Sequence, residues 1–240
     1  MAKSVGKLTK LNMKNTIKRP LATLLILSAI FLSACQPKQT SVTATTDSIK
    51  TTDEATIKTT PPVVPVTNSS MQTEAPKKGD TVATIETDKG TIKIKLFPET
   101  SPETVKNFIE LAKTGKYDNV PFHRVIEGFM IQTGDFTNKN GTGGYSYKGV
   151  GTKIDDEFSP SLTHLNGAVS MANSGPNTNG SQFFIVTSSG GAAYLNNHYS
   201  VFGQVYEGQD IADTISKLKT GPSDNPLTPM MMKKVTISTL

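Results

Sequence analysis

Two short runs limit what this chain can fold into more than any other part of it: PFHRVIEGFMIQTGD, from Pro121 to Asp135, and MANSGPNTNGSQFFIV, from Met171 to Val186. Phe122, Val125, Phe129 and Ile131 are aromatic or β-branched, the residues that suit a pleated, half-buried strand. Gly128 and Gly134 punctuate the first run, and Gly175, Pro176 and Gly180 mark a loop that opens the second. Arg124 and Gln132 lie inside apolar sequence, where a polar group needs either a partner or a purpose. Taken one at a time, such residues have ordinary explanations. A strand arginine is commonly paired with a carboxylate, and Phe129, Met130 and Phe184 are the usual stuff of cores. The joint pattern carries the argument.

The surrounding chain reads as short strands with two helices. VATIETDKGTIKIKLFP, beginning near Thr81, is two strands joined at Asp88-Lys89-Gly90. A helix follows with Ser101 as the expected N-cap and Pro102 in its first turn; Val105, Phe108, Ile109 and Ala112 share one face, and Gly115 ends it. GTGGYSYKGVG, from Gly141 to Gly151, is glycine-rich but lacks the GK[ST] of a phosphate-binding loop, so it is read as loop structure. Later strands are expected at Gly167–Ala172, Phe183–Thr187, Tyr199–Val205 and Lys234–Ile237. A second helix carries Ile211, Ile215 and Leu218. Many short strands with two helices far apart in sequence fit a mostly-β fold, a barrel with a helix over each end.

The order FHRVI-x-GFMIQ-x-GD, then MAN-x-GPNTNGSQFFI, resembles the signature of the cyclophilins, the peptidyl-prolyl cis-trans isomerases. The similarity continues through GTGGYSYKGVG, DEF and YLNNHYSVFGQVYEGQDI, and covers about Asp80 to Leu240. It implies a closed eight-stranded antiparallel β-barrel capped by two helices, and an isomerase that accelerates rotation about X-Pro bonds. It places Arg124 and Gln132 in catalysis. Phe129, Met130, Phe184 and Leu195 would receive the proline ring; Ala172 and Asn173 would hold the substrate backbone; Gln182 would lie beside the pocket, with Tyr194 and Tyr199 on its wall. No cofactor or metal is implied. Two departures accompany the likeness. Tyr194 stands where cyclosporin-binding human cyclophilins carry tryptophan, so weak cyclosporin inhibition is expected. Tyr199 stands where many relatives have histidine, with His198 one place earlier.

Those residue types suit the chemistry. The X-Pro bond is held planar by resonance behind a barrier of roughly 18–20 kcal/mol. Twisting it frees the nitrogen lone pair to accept a hydrogen bond. A fixed guanidinium aimed there stabilises the twisted state above either planar one, with no nucleophile or titrating group. A proline-peptide-binding chaperone with little turnover is the alternative; an intact Arg124 favours the enzyme. A hydrolase triad of His164, Ser170 and Asp135 or Asp156 is rejected, since no nucleophile-elbow pattern supports it. His123 precedes Arg124, so strand alternation turns it to the opposite face.

The first third of the chain reads differently. Five lysines and Arg19, with no acids, precede Cys35; without them 19 basic residues face 20 acidic ones, so the formal net charge of +5 reflects an N-terminal segment and argues against nucleic-acid binding. The apolar run Leu21–Ala34, about 14 residues, is shorter than a membrane span, as in a secretory signal. Leu32-Ser33-Ala34-Cys35 resembles a bacterial lipobox, with Cys35, the single cysteine, as the lipidated first mature residue. Met13 is a possible alternative start. Residues 1–34 are therefore read as a lipoprotein signal peptide, 35–79 as a lipid-anchored disordered tether rich in Thr, Ser and Pro with a reach of roughly 35–40 Å, and 80–240 as the isomerase domain. The expectation is a monomer held at the membrane by acyl chains on the extracytoplasmic side, acting on unfolded or partly folded proteins.

Overall fold

The computed structural model describes residues 70–240. The signal peptide, Cys35 and residues 35–69 of the tether lie outside the described residues. Along the chain come α1 (Ser70–Thr73), β1 (Thr81–Thr87), β2 (Gly90–Leu96), α2 (Pro102–Lys113), β3 (Val120–Pro121), β4 (Arg124–Ile126), β5 (Met130–Thr133), β6 (Ala168–Met171), β7 (Phe183–Val186), β8 (Val201–Glu207), α3 (Gln209–Ser216) and β9 (Met231–Thr239). All pairings are antiparallel, in one curled sheet of order β3-β9-β1-β2-β8-β6-β7-β5-β4.

The mostly-β, antiparallel expectation holds, but the count and closure differ. Among the described residues nine strands replace eight, three α-helices replace two, and no ladder joins the two ends of the strand order. The ends are instead consecutive in sequence. Phe122 N–H donates to Met230 O on the β9 side, and His123 N–H donates to Gln132 O on the β5 side. Pro121 has no N–H to extend a ladder there.

The inner face of the sheet and both long helices share one core. On α2, Val105, Phe108, Leu111 and Ala112 are buried, while Ile109 is only partly so. Phe108 meets Tyr117, Phe183 and Phe202 with ring centroids 5.2, 5.4 and 5.2 Å apart. Burying each such ring contributes about 1.5–3 kcal/mol. Tyr117 is fully buried, and its hydroxyl donates to Ser181 O at 2.9 Å; burial drives its pKa far up, so it stays protonated.

Two expectations are corrected. Ser101 occupies the N-cap position but does not cap: its hydroxyl donates to Val201 O, 2.8 Å away. The orphan amides of Glu103 and Thr104 instead reach the Glu157 carboxylate at 3.1 and 2.8 Å, a long-range substitute that also suits the helix dipole. Residues 70–79, read as the end of the tether, are docked on the domain. Gln72 is 1% exposed. Its amide nitrogen donates to Thr163 O and Gln204 Oε1, and its oxygen accepts from Thr163 N–H. This amide, with matched donors and acceptors, and Gly79 N–H, which donates to Leu240 O at 2.7 Å, tie down a segment that hydropathy alone would release.

Candidate active site

The β4–β5 hairpin turns at Gly128, whose φ of +70° suits glycine. Its register sets Arg124 opposite Gln132, and Gln132 opposite Phe184 on β7, which faces Ser170 on β6. Residues directly opposite in antiparallel strands project to the same side. One row across four strands therefore carries Arg124, Gln132, Phe184 and Ser170. The neighbouring row, Val125, Ile131, Ile185 and Val169, points inward to the main core. Because side chains alternate along a strand, a short polar-apolar pattern places the arginine outside the core by construction.

On that outer side Met130, Phe184, Val186, Leu162 and Val201 form a second, smaller apolar cluster, against which Phe129, Ala172, Leu195 and Tyr199 pack. The cluster floors a cavity of about 300 Å³ lined by Arg124, Phe129, Met130, Gln132, Ala172, Asn173, Phe184, Leu195 and Tyr199. Of the residues expected at the site, two lie outside this lining. Gln182 borders an adjoining polar cavity, also about 300 Å³, together with Gln132, Gly143 and Lys153. Tyr194 sits on a short 3-10 turn, Ala193–Leu195, 68% exposed, with its ring 6.0 Å from that of Phe129.

Gln132 is held rather than free. Its amide nitrogen donates to Gln182 Oε1 at 3.0 Å, and Gln182 Nε2 donates in turn to the carbonyls of Gly141 and Gly143 at 2.9 and 2.8 Å. Those glycines belong to a loop wound round Asp135, which is fully buried. Asp135 Oδ1 accepts from Thr137 N–H, Thr137 Oγ1–H and Asn138 N–H, and Oδ2 accepts from the N–H groups of Asn140, Gly141 and Gly143. Burial alone would raise this carboxyl; the donors outweigh it and hold the pKa at about 2. A Cβ on Gly143 would lie 2.6 Å from Asp135 Oδ1, so this winding needs glycine there. The glycine-rich stretch thus wraps the protein's own carboxylate.

Asn173 borders the cavity, yet its side chain serves the loop: Nδ2 donates to His198 O at 2.9 Å and Oδ1 accepts from Gly175 N–H at 3.3 Å. His123 is buried outside the lining and packs against Gly141; it precedes β4, and Phe122 rather than His123 joins the main core with Val125, so the expected alternation does not extend to it; burial lowers its pKa. His164 Nε2 lies 3.0 Å from Ser170 Oγ, so two members of the rejected triad do meet. Ser170 is fully buried, and the other imidazole nitrogen faces Asn196 Oδ1 at 2.9 Å rather than a carboxylate. Burial lowers the His164 pKa as well, and the ring stacks on Phe184 at 5.9 Å and 11°. It is a wall of the apolar cluster, not a base.

One residue beside the cavity has no signal in the sequence. Asp224, in the loop before β9, accepts from Arg124 Nε–H at 3.2 Å. The two Nη groups of Arg124 have no protein partner among the described residues.

An apolar notch of this size, with an arginine on its rim and amides beside it, has the make-up of a site that takes a small apolar group and orients it with a few fixed polar ones. Residues 82–237 match the family described as cyclophilin type peptidyl-prolyl cis-trans isomerase/CLD. A protein of Staphylococcus aureus (strain USA300) that bears the name peptidyl-prolyl cis-trans isomerase is 40% identical over 187 residues, covering 67% of this chain and 93% of that one. The crystal structure of the cyclophilin type peptidyl-prolyl cis-trans isomerase of Cryptosporidium parvum is 36% identical, with a TM-score of 0.63, and covers 67% of this chain and 99% of that one. A second structure of it, determined in the presence of the dipeptide Ala-Pro, has a TM-score of 0.62 at 36% identity and covers 66% and 99%. The chain belongs to the cyclophilin-type peptidyl-prolyl cis-trans isomerase family, and it is an isomerase of X-Pro bonds.

Proposed function

We propose that the proline ring of the substrate enters the notch over Met130 and Phe184, between Phe129, Leu195 and Tyr199, while Arg124 faces the prolyl nitrogen. As the amide twists, its lone pair localises and accepts a hydrogen bond from an Nη–H of Arg124. The planar cis and trans forms offer no such acceptor, so the interaction lowers the barrier without tightening ground-state binding. Gln132 and the backbone at Ala172 and Asn173 hold the flanking peptide, with Gln182 keeping Gln132 in place. Tyr194 and Tyr199 complete the rim. The observation that carries the reading is the single row Arg124–Gln132–Phe184, which puts cation, amide and apolar floor side by side. An exchange experiment on an X-Pro peptide comparing Arg124→Ala with the wild type tests it: a loss of roughly a hundredfold or more is expected.

The sequence supports a lipoprotein: a basic segment, a short apolar run, and the single cysteine at the end of Leu32-Ser33-Ala34-Cys35. The enzyme is then a monomer tethered by acyl chains on the outer side of the cell membrane, where it acts on extracytoplasmic proteins as they fold. Cys35→Ser releases it from the membrane fraction on this reading; retention of that variant would contradict it. Tyr194 offers no indole N–H, which supports weak binding of cyclosporin.

A further inference from the structure

Between α3 and β9 the chain makes a tight excursion. Thr220 and Pro226 form an isolated antiparallel bridge, Gly221 N–H donates to Asn225 O at 2.8 Å, and Leu227 N–H donates to Lys219 O at 2.9 Å. Inside it, Ser223 (φ 60°, ψ 29°) and Asp224 (φ 58°) are adjacent non-glycine residues in the left-handed region, which disfavours any side chain with a Cβ. Asn225 Nδ2 pins the excursion to the catalytic hairpin by donating to the carbonyl of His123, the residue before Arg124, at 2.9 Å. This geometry sets the Asp224 carboxylate 3.2 Å from Arg124 Nε.

We infer that Asp224 is a positioning residue for Arg124. The two side chains are 42% and 44% exposed, and an ion pair that open adds little to stability. A strained, pinned loop is therefore poorly explained as a stabilising device, and well explained as a way to orient the guanidinium. An arginine so exposed has several rotamers open to it, and catalysis by a charge needs that charge fixed before the barrier is climbed. Gln132, directly across the hairpin, does not do this: among the described residues no hydrogen bond joins its acceptor Oε1 to Arg124, and its amide nitrogen donates to Gln182. Asp224 takes only Nε–H, which orients the planar fork and leaves both Nη groups for substrate.

The inference rests on the catalytic role proposed for Arg124, and its test separates the two. Asp224→Ala, Asp224→Gly and Asp224→Asn are compared with the wild type by cis-trans exchange of an X-Pro peptide, each also on an Arg124→Ala background. Glycine removes the carboxylate and the left-handed strain together, whereas asparagine keeps an acceptor oxygen and tolerates that conformation. Asp224→Ala and Asp224→Gly are expected to lower kcat/KM between about tenfold and a hundredfold, through kcat with KM little changed, and Asp224→Asn to recover most of the loss. On the Arg124→Ala background none of the three changes the residual rate. The Arg124 Nε–H resonance, visible in the wild type, exchanges faster with solvent in the alanine and glycine variants. Full activity of Asp224→Ala and Asp224→Gly beside an impaired Arg124→Ala would overturn the positioning role alone. So would an undiminished Asp224→Ala loss without Arg124. Full activity of Arg124→Ala would overturn both.

Discussion

Asp135→Asn offers a measurable link between the carboxylate at the centre of the glycine-rich loop and the site it shapes. The buried side chain accepts six hydrogen bonds, five of them from backbone N–H groups at Thr137, Asn138, Asn140, Gly141 and Gly143. Asparagine would turn one acceptor into a donor that faces other donors. The carboxyl titrates at about 2 in the folded protein against 3.8 for an ordinary aspartate, a difference of roughly 2.4 kcal/mol in favour of the folded, ionised form. Because the folded pKa is the lower one, this stabilisation is complete above about pH 4 and is lost as pH falls toward 2. Urea unfolding of both proteins at pH 6 should show Asp135→Asn weaker by about 2–3 kcal/mol, and by pH 3 the gap should have closed by about 1 kcal/mol. The variant should also lose activity, since Gly141 and Gly143 hold Gln182, which holds Gln132. Parallel stability curves for the two proteins from pH 6 to pH 3 would refute the role given to the ionised carboxylate.

Gln72→Ala should cost about 1–3 kcal/mol in urea unfolding, because Thr163 and Gln204 lose their buried partner, with kcat/KM on an X-Pro peptide unchanged. Glu157→Ala, which removes the acceptor of the Glu103 and Thr104 amides and so uncaps α2, should lower stability by about 1 kcal/mol in the same assay. Titration with cyclosporin should show weak inhibition of the wild type and tighter inhibition of Tyr194→Trp, which supplies the missing N–H donor at an exposed position beside Phe129; equal affinities would remove Tyr194 as the cause.

How much could be read in advance follows the range of the forces involved. The β4–β5 hairpin, the β1–β2 hairpin and α2 are encoded by neighbours in sequence: alternation about Arg124 and Gln132, the Asp88-Lys89-Gly90 turn, and the apolar face of Val105, Phe108 and Ala112. Long-range polar pairing was illegible. Asp224 reaches Arg124 from a loop with no periodicity, Glu157 takes the capping role expected of Ser101, and Gln72 docks a segment whose composition looks like tether. Strand ends shifted for a related reason. β9 runs Met231–Thr239, beyond the expected Lys234–Ile237, because pairing with β1 carries exposed Ser238 and Thr239, which no burial pattern marks, and resumes at Met232 across a register shift.

The central claim is that the Arg124 guanidinium, standing over an apolar notch, stabilises the twisted prolyl amide. Its most direct measurement is two-dimensional exchange NMR of an X-Pro peptide with wild type and Arg124→Ala at equal occupancy of the site. The expected result is a drop of at least about 2–3 kcal/mol in transition-state stabilisation, a hundredfold in rate, with peptide affinity nearly unchanged. Equal exchange rates at equal occupancy would contradict it.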